Sequence, residues 1–173
     1  MPEEITGKIK RRYMAHFINA SANPESPVYV RLGDDLEEYN VEMNANVNKT
    51  NNILGETSTL IDSYEPQSAV EPYYAVVGNP LHTRLQKIID ERLTLDDLKT
   101  DVLDVHLWEE DEVKTGSFVA YREEAIIEVG SYGGDVSGYQ IPFNLHYTGV
   151  RVKGLFDVAT KTFTPDTPAA PEE

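Results

Sequence analysis

Tyr39-Asn40-Val41-Glu42-Met43-Asn44-Ala45-Asn46-Val47-Asn48 sets an apolar side chain at every odd position and a polar one at every even position. Successive residues of a strand point to opposite faces of a sheet, so this run predicts a half-buried β-strand with one dry face and one wet face. On its N-terminal side, residues 13–20 and 27–32 read as two further strands, the second ending at Gly33-Asp34-Asp35. On its C-terminal side the expected partner is residues 62–71. Pro66 and Pro72 point there to irregular or edge-like pairing, because proline donates no ladder hydrogen bond.

Between these partners lies a long hairpin loop, residues 48–62, carrying Ile53, Leu54, Leu60 and Ile61. Two arrangements are open. If the strands continue beyond the body of the domain, these four side chains require a protein partner to cover them. If the segment folds back, they are core residues.

A helix is predicted over residues 80–92. Asn79 can cap it, Pro80 suits the first helical position, and Leu81, Leu85, Ile88, Ile89 and Leu93 share one face. Arg84, Lys87, Asp90 and Glu91 read as its solvated side. Residues 102–108 and 117–129 then form a β-hairpin with the acidic turn Glu109-Glu110-Asp111-Glu112. After a glycine-rich turn at 130–138, Tyr139, Ile141, Phe143, Leu145 and Tyr147 alternate with polar residues and proline, and residues 150–158 make a final strand. The expected fold is mainly β with one flanking α-helix, a β-sandwich or partly closed β-barrel. It spans residues 13–160, between an N-terminal arm (1–12) with basic Lys8, Lys10, Arg11 and Arg12 and a flexible, proline-rich C-terminal tail (161–173).

Fifteen basic against thirty acidic residues leave a formal charge of −15, which repels polyphosphate and anionic membrane. A conventional nucleic-acid binder is disfavoured. The absence of cysteine removes disulfides, thiolate catalysis and cysteine-bound metal. No apolar run has the length of a secretory signal or a bilayer span, so a soluble chain is expected.

His16, His82, His106 and His146 are scattered, none at the i, i+4 spacing of a helical metal pair; a site formed by strand neighbours such as His106 and His146 is the arrangement left to weigh. No nucleophile elbow, phosphate loop or dinucleotide turn is present. With thirty acidic residues, paired carboxylates carry no signal for glycoside hydrolysis. The expectation is a non-enzymatic protein without cofactor or metal, working through surfaces that join it to other chains. The competing reading is a carbohydrate-binding module in which Tyr73, Tyr74, Trp108 or Tyr132 stacks on sugars.

Three segments, residues 12–20, 35–47 and 133–143, together resemble the major tail tube proteins of long-tailed, non-contractile (siphovirus-type) bacteriophages of Gram-positive hosts. The similarity runs from about residue 10 to 163. It rests on the order and extent of segments such as Arg12-Tyr13-Met14-Ala15-His16-Phe17 and Gly133-Gly134-Asp135-Val136-Ser137-Gly138-Tyr139. The resemblance implies a structural virion protein forming hexameric rings that stack into a hollow tube for DNA ejection. Its partners would be further copies of itself and the tape measure, distal tail and tail terminator proteins. DNA would be passing cargo, and assembly would take place in the host cytoplasm. Ile53, Leu54, Leu60 and Ile61 become ring-stacking candidates; Glu42, Glu65, Glu71, Glu124 and Glu128 become lumen-facing candidates whose charge keeps phosphate off the wall. Another tail component of similar fold, such as a distal tail or tail-completion protein, is the nearest alternative.

Overall fold

A computed structural model describes residues 5–166. Twelve strands and one α-helix are found among them: β1 (Met14–Asn19), β2 (Tyr29–Leu32), β3 (Val41–Glu42), β4 (Ala45–Asn51), β5 (Thr57–Tyr64), β6 (Gln67–Val70), α1 (Pro80–Glu91), β7 (Lys99–Glu110), β8 (Ser117–Val129), β9 (Gly133–Asp135), β10 (Gly138–Gln140), β11 (Phe143–Asp157) and β12 (Thr162–Pro165). Eight of the strands make one antiparallel sheet in the order β2-β1-β7-β8-β11-β6-β3, with β12 also on β11. β4–β5 and β9–β10 are separate two-stranded ribbons.

The helix forms as its sequence dictates. The Asn79 side chain accepts from the Leu81 N–H at 3.0 Å, and Pro80 needs no donor partner in the first turn. Leu81, Leu85, Ile88 and Ile89 are buried in one cluster with Ile18, Val102, Ala125, Ile127 and Leu145 of the sheet. Each such side chain stabilises the fold by roughly 1.5–3 kcal/mol. Arg84 departs from expectation. It is buried, its guanidinium donating to the carbonyls of Asn19 (3.0 Å), Ser21 (3.1 Å) and Lys99. The charge is tolerated because three backbone acceptors surround it, and it ties the helix to the ends of β1 and β7.

The opposite face of the sheet carries a second cluster of Phe17, Tyr29, Leu103, Val105, Ala120 and Phe156. Phe17 on β1 and Phe156 on β11 are three strand spacings apart, about 14 Å in a flat sheet. Their ring centroids nevertheless lie 4.6 Å apart, and Tyr29 on β2 reaches Phe156 at 5.9 Å. The sheet therefore curls around Phe156, with the β7–β8 register shift after Val105 adding to its twist. It does not close into a barrel: β2 and β3 end the path.

Four local expectations are corrected. The alternating run 39–48 is not one half-buried strand: Asn44 adopts φ 46° and ends the sheet strand after Glu42. Only Tyr39 is buried and Val41 partly so, whereas Met43, Ala45 and Val47 continue into an exposed ribbon. Second, the expected loop 48–62 is mostly ladder, β4 pairing with β5. Third, residues 150–158 are no separate strand but the second half of β11, continuous through an irregularity between Tyr147 and Arg151 where Gly149 takes φ 88°. Fourth, Thr162–Pro165 lies in the expected flexible tail yet pairs with β11 from Gly154 to Asp157. The remainder of that tail, residues 167–173, and residues 1–4 of the arm lie outside the described residues.

Close approach explains the last pairing. A Cβ at Gly154 would stand 2.3 Å from the Thr164 carbonyl oxygen and 2.8 Å from Pro165 Cα, both backbone atoms. Gly154→Val is expected to detach β12 and uncover Phe163 from the Phe156 cluster. The cost should be about 2 kcal/mol, read as a lower unfolding midpoint together with faster amide exchange at residues 162–164.

Candidate functional site

The β4–β5 ribbon is the first candidate surface. Ala45 pairs with Tyr64, Val47 with Ile61, Asn48 with Leu60 and Asn51 with Thr57. Its tip is ordered by Asn52, whose Oδ1 accepts from Leu54 N and Glu56 N, both at 3.0 Å, while its Nδ2 donates to Glu56 at 2.8 Å. Gly55 supplies the left-handed residue, φ 80°, that closes the turn. The tip thus holds Ile53 and Leu54 outward, 103% and 77% exposed; Leu60 and Ile61 are 59% and 54% exposed. Every residue from 42 to 65 is exposed. Of the two arrangements open in the sequence, the structure shows the projecting hairpin. A two-stranded ribbon alone is marginally stable in water, and this one adds uncovered apolar side chains.

The acidic candidates are sorted by strand parity. On β8, Ala125 and Ile127 point to the helix, so Glu124 and Glu128 point away. On β6 and β3, Ser68, Val70 and Val41 share the helix side, leaving Glu42 on the far face with Gln67 and Ala69, and the chain carries Glu71 on in the same phase. Glu42, Glu71, Glu124 and Glu128 therefore share one face of the sheet. Glu65 does not: it sits in the bend between β5 and β6, its N–H donating to the Asn44 carbonyl at 3.2 Å. The face also holds Lys99, Asp101, Arg122 and His146 by the same parity. His146 pairs with Glu128 and is the main cause holding that carboxyl below the usual value.

A third feature was not foreseen. His16 Nδ1 lies 2.8 Å from Asp104 Oδ1, and Arg151 bridges Asp104 Oδ2 (3.2 Å) to Glu123 (3.0 Å). Arg11 reaches His16 Nε2 at 3.0 Å and the Tyr39 carbonyl at 2.9 Å. Since a guanidinium only donates, Nε2 is the acceptor and Nδ1–H donates to Asp104. Tyr39 and Tyr147 complete the cluster through Ser68, at 2.9 and 3.3 Å from its Oγ. The network anchors the C-terminal end of the basic arm to the sheet and borders a groove of about 690 Å³ that also includes Met43, Tyr64 and Pro66 at the hairpin base. Its sequence signal is phase: His16, Asp104 and Glu123 occupy positions of the same parity as the buried Ile18, Val102 and Ala125.

The remaining candidates are dispersed. His106 stacks on Trp108 at 4.5 Å and bonds Glu109, on the sheet face opposite to that of His146, so the two do not meet. Among the described residues no group of three or more His, Asp or Glu is placed to hold a metal ion. Tyr73 packs edge-on against Phe143, and burial pushes its phenol up to about 12; Tyr132 lies under Arg92. These aromatics do not form a common platform with Trp108. Among the described residues no helix is long and apolar enough to cross a membrane. No protein-family model matches the chain, and no curated protein sequence matches it.

Proposed function

We propose that this chain is the structural subunit of a phage tail tube, assembling as hexameric rings stacked into a hollow conduit for DNA. The observation that carries the reading is the β4–β5 hairpin, with Ile53, Leu54, Leu60 and Ile61 all uncovered on an ordered ribbon. A side chain of Leu or Ile forfeits roughly 1.5–3 kcal/mol by remaining in water, so four on one projection favour a protein partner. A second support is the acidic sheet face with Glu42, Glu71, Glu124 and Glu128, suited to a wall along which polyanions pass without adhering. Glu65 joins the hairpin base in this reading. The two path-ending strands β2 and β3 offer edges through which neighbouring sheets can pair around a ring. Tape measure, distal tail and terminator proteins would be the other partners, and the virion tail the final location.

Sedimentation of the purified chain over a concentration series tests the proposal: species growing in steps of six chains support it, and a monomer at every concentration opposes it. Replacing Glu42, Glu71, Glu124 and Glu128 together by Lys is a further test. Those tubes should retain short duplex DNA at low salt and release it as salt rises, whereas wild-type tubes should retain none. Retention by neither would place these carboxylates away from the lumen.

A further inference from the structure

A second uncovered apolar surface lies at the other end of the same strand. β6 runs from Gln67, paired with His146, to Val70, paired with Phe143. The β4–β5 hairpin joins β6 at its Gln67 end. From the Val70 end the chain enters residues 72–79, which the β9–β10 ribbon holds in place: Ala75 N–H donates to the Tyr139 carbonyl, and Ile141 N–H to the Tyr73 carbonyl, both at 2.9 Å. Tyr139 is pinned to α1 through its hydroxyl and Gln86 at 2.9 Å. Gly134 permits the ribbon's tight closure, since a Cβ there would fall 2.2 Å from the Gly138 carbonyl oxygen. This built surface presents Val76, Val77 and Val136 to solvent, the last two 95% and 106% exposed.

Charge decides what can cover it. Residues 72–79 and 130–141 contain one charged side chain, Asp135, and the hairpin, residues 43–64, contains three, Lys49, Glu56 and Asp62. Four in forty-two contrasts with 26% charged residues over the whole chain. In a molecule of net charge −15, any two copies repel across most of their surfaces. At these two poles charge is sparse and exposed apolar side chains cluster, the composition of an interface core.

We infer that the Val76–Val77–Val136 pole receives the β4–β5 hairpin of a second copy of this chain, head to tail. The two patches differ, so the contact is heterologous, and their placement at opposite ends of β6 stacks copies head to tail in an open series. The inference deepens the tube reading and rests on it, naming the surface that each hairpin meets.

The chain has no cysteine, which makes the test direct. A tagged Leu54→Cys chain and an untagged Val136→Cys chain, assembled together, are treated with a short bismaleimide. A crosslinked product of mixed mass is expected, with same-variant dimers minor. A Val77→Asp, Val136→Asp variant, altered only at exposed positions, should keep its unfolding midpoint and raise the concentration needed for assembly at least tenfold. Intact tubes without the mixed product, or unaffected by the two aspartates, overturn the pole assignment and leave the tube reading standing. A wild-type chain that never assembles overturns both.

Discussion

A chain carrying Ile53→Asp and Leu54→Asp is expected to remain unassembled at concentrations where the wild type forms filaments, with an unchanged unfolding midpoint. Both side chains stand largely in solvent at the tip, so surface substitutions there should move stability by less than about 0.5 kcal/mol. In the proposed tube the same positions would be desolvated. Losing two buried apolar side chains removes on the order of 4 kcal/mol per contact, roughly a thousandfold in the concentration required. The Asn52 turn that holds the tip is left intact, so a failure to assemble is attributable to the two side chains. Thermal melting and sedimentation of the same preparation separate the effects.

The largest change in stability is expected from Asp104→Ala. Asp104 is buried between His16 and Arg151, and its removal leaves both donors facing the groove with one partner fewer. Breaking a buried pair on one side costs about 3–5 kcal/mol, a fall of roughly 10 °C in midpoint for a domain of this size. Burial raises the Asp104 carboxyl, and hydrogen bonds from His16 and Arg151 together with the Arg151 charge more than reverse it, leaving its pKa below the ordinary value of 3.8. A carboxyl depressed in the folded state contributes its full stabilisation above the unfolded pKa and loses it as pH falls through the folded one. The gap between wild type and Asp104→Ala should therefore hold at neutral pH and shrink only below about pH 4. A gap constant down to pH 2 would show that lost packing, not the ion pair, sets the difference.

The helix and the β7–β8 hairpin were legible because their signals are local: a cap, a proline, a 3.6-residue spacing, and apolar runs around a charged turn. The run 39–48 misled because alternation reports that a ribbon has two faces and does not say what covers the apolar one. Its single break, at Asn44, needed a left-handed residue that asparagine supplies without announcing it in the pattern. The acidic face was partly legible, since parity along β8, β6 and β3 follows from position alone. Glu65 lies off that face because Pro66 and the bend beside it interrupt the phase. The Arg11–His16–Asp104–Arg151 network could not be assembled from the sequence: it depends on the β1–β7 register that sets His16 opposite Asp104, a pairing 88 residues apart.

The most direct measurement is negative-stain electron microscopy of the purified wild-type chain across a concentration series, repeated with tail-initiation components. Rings and hollow filaments of one uniform width are the expected result. A chain that stays a single small particle at every concentration, with and without those components, would contradict the tube assignment.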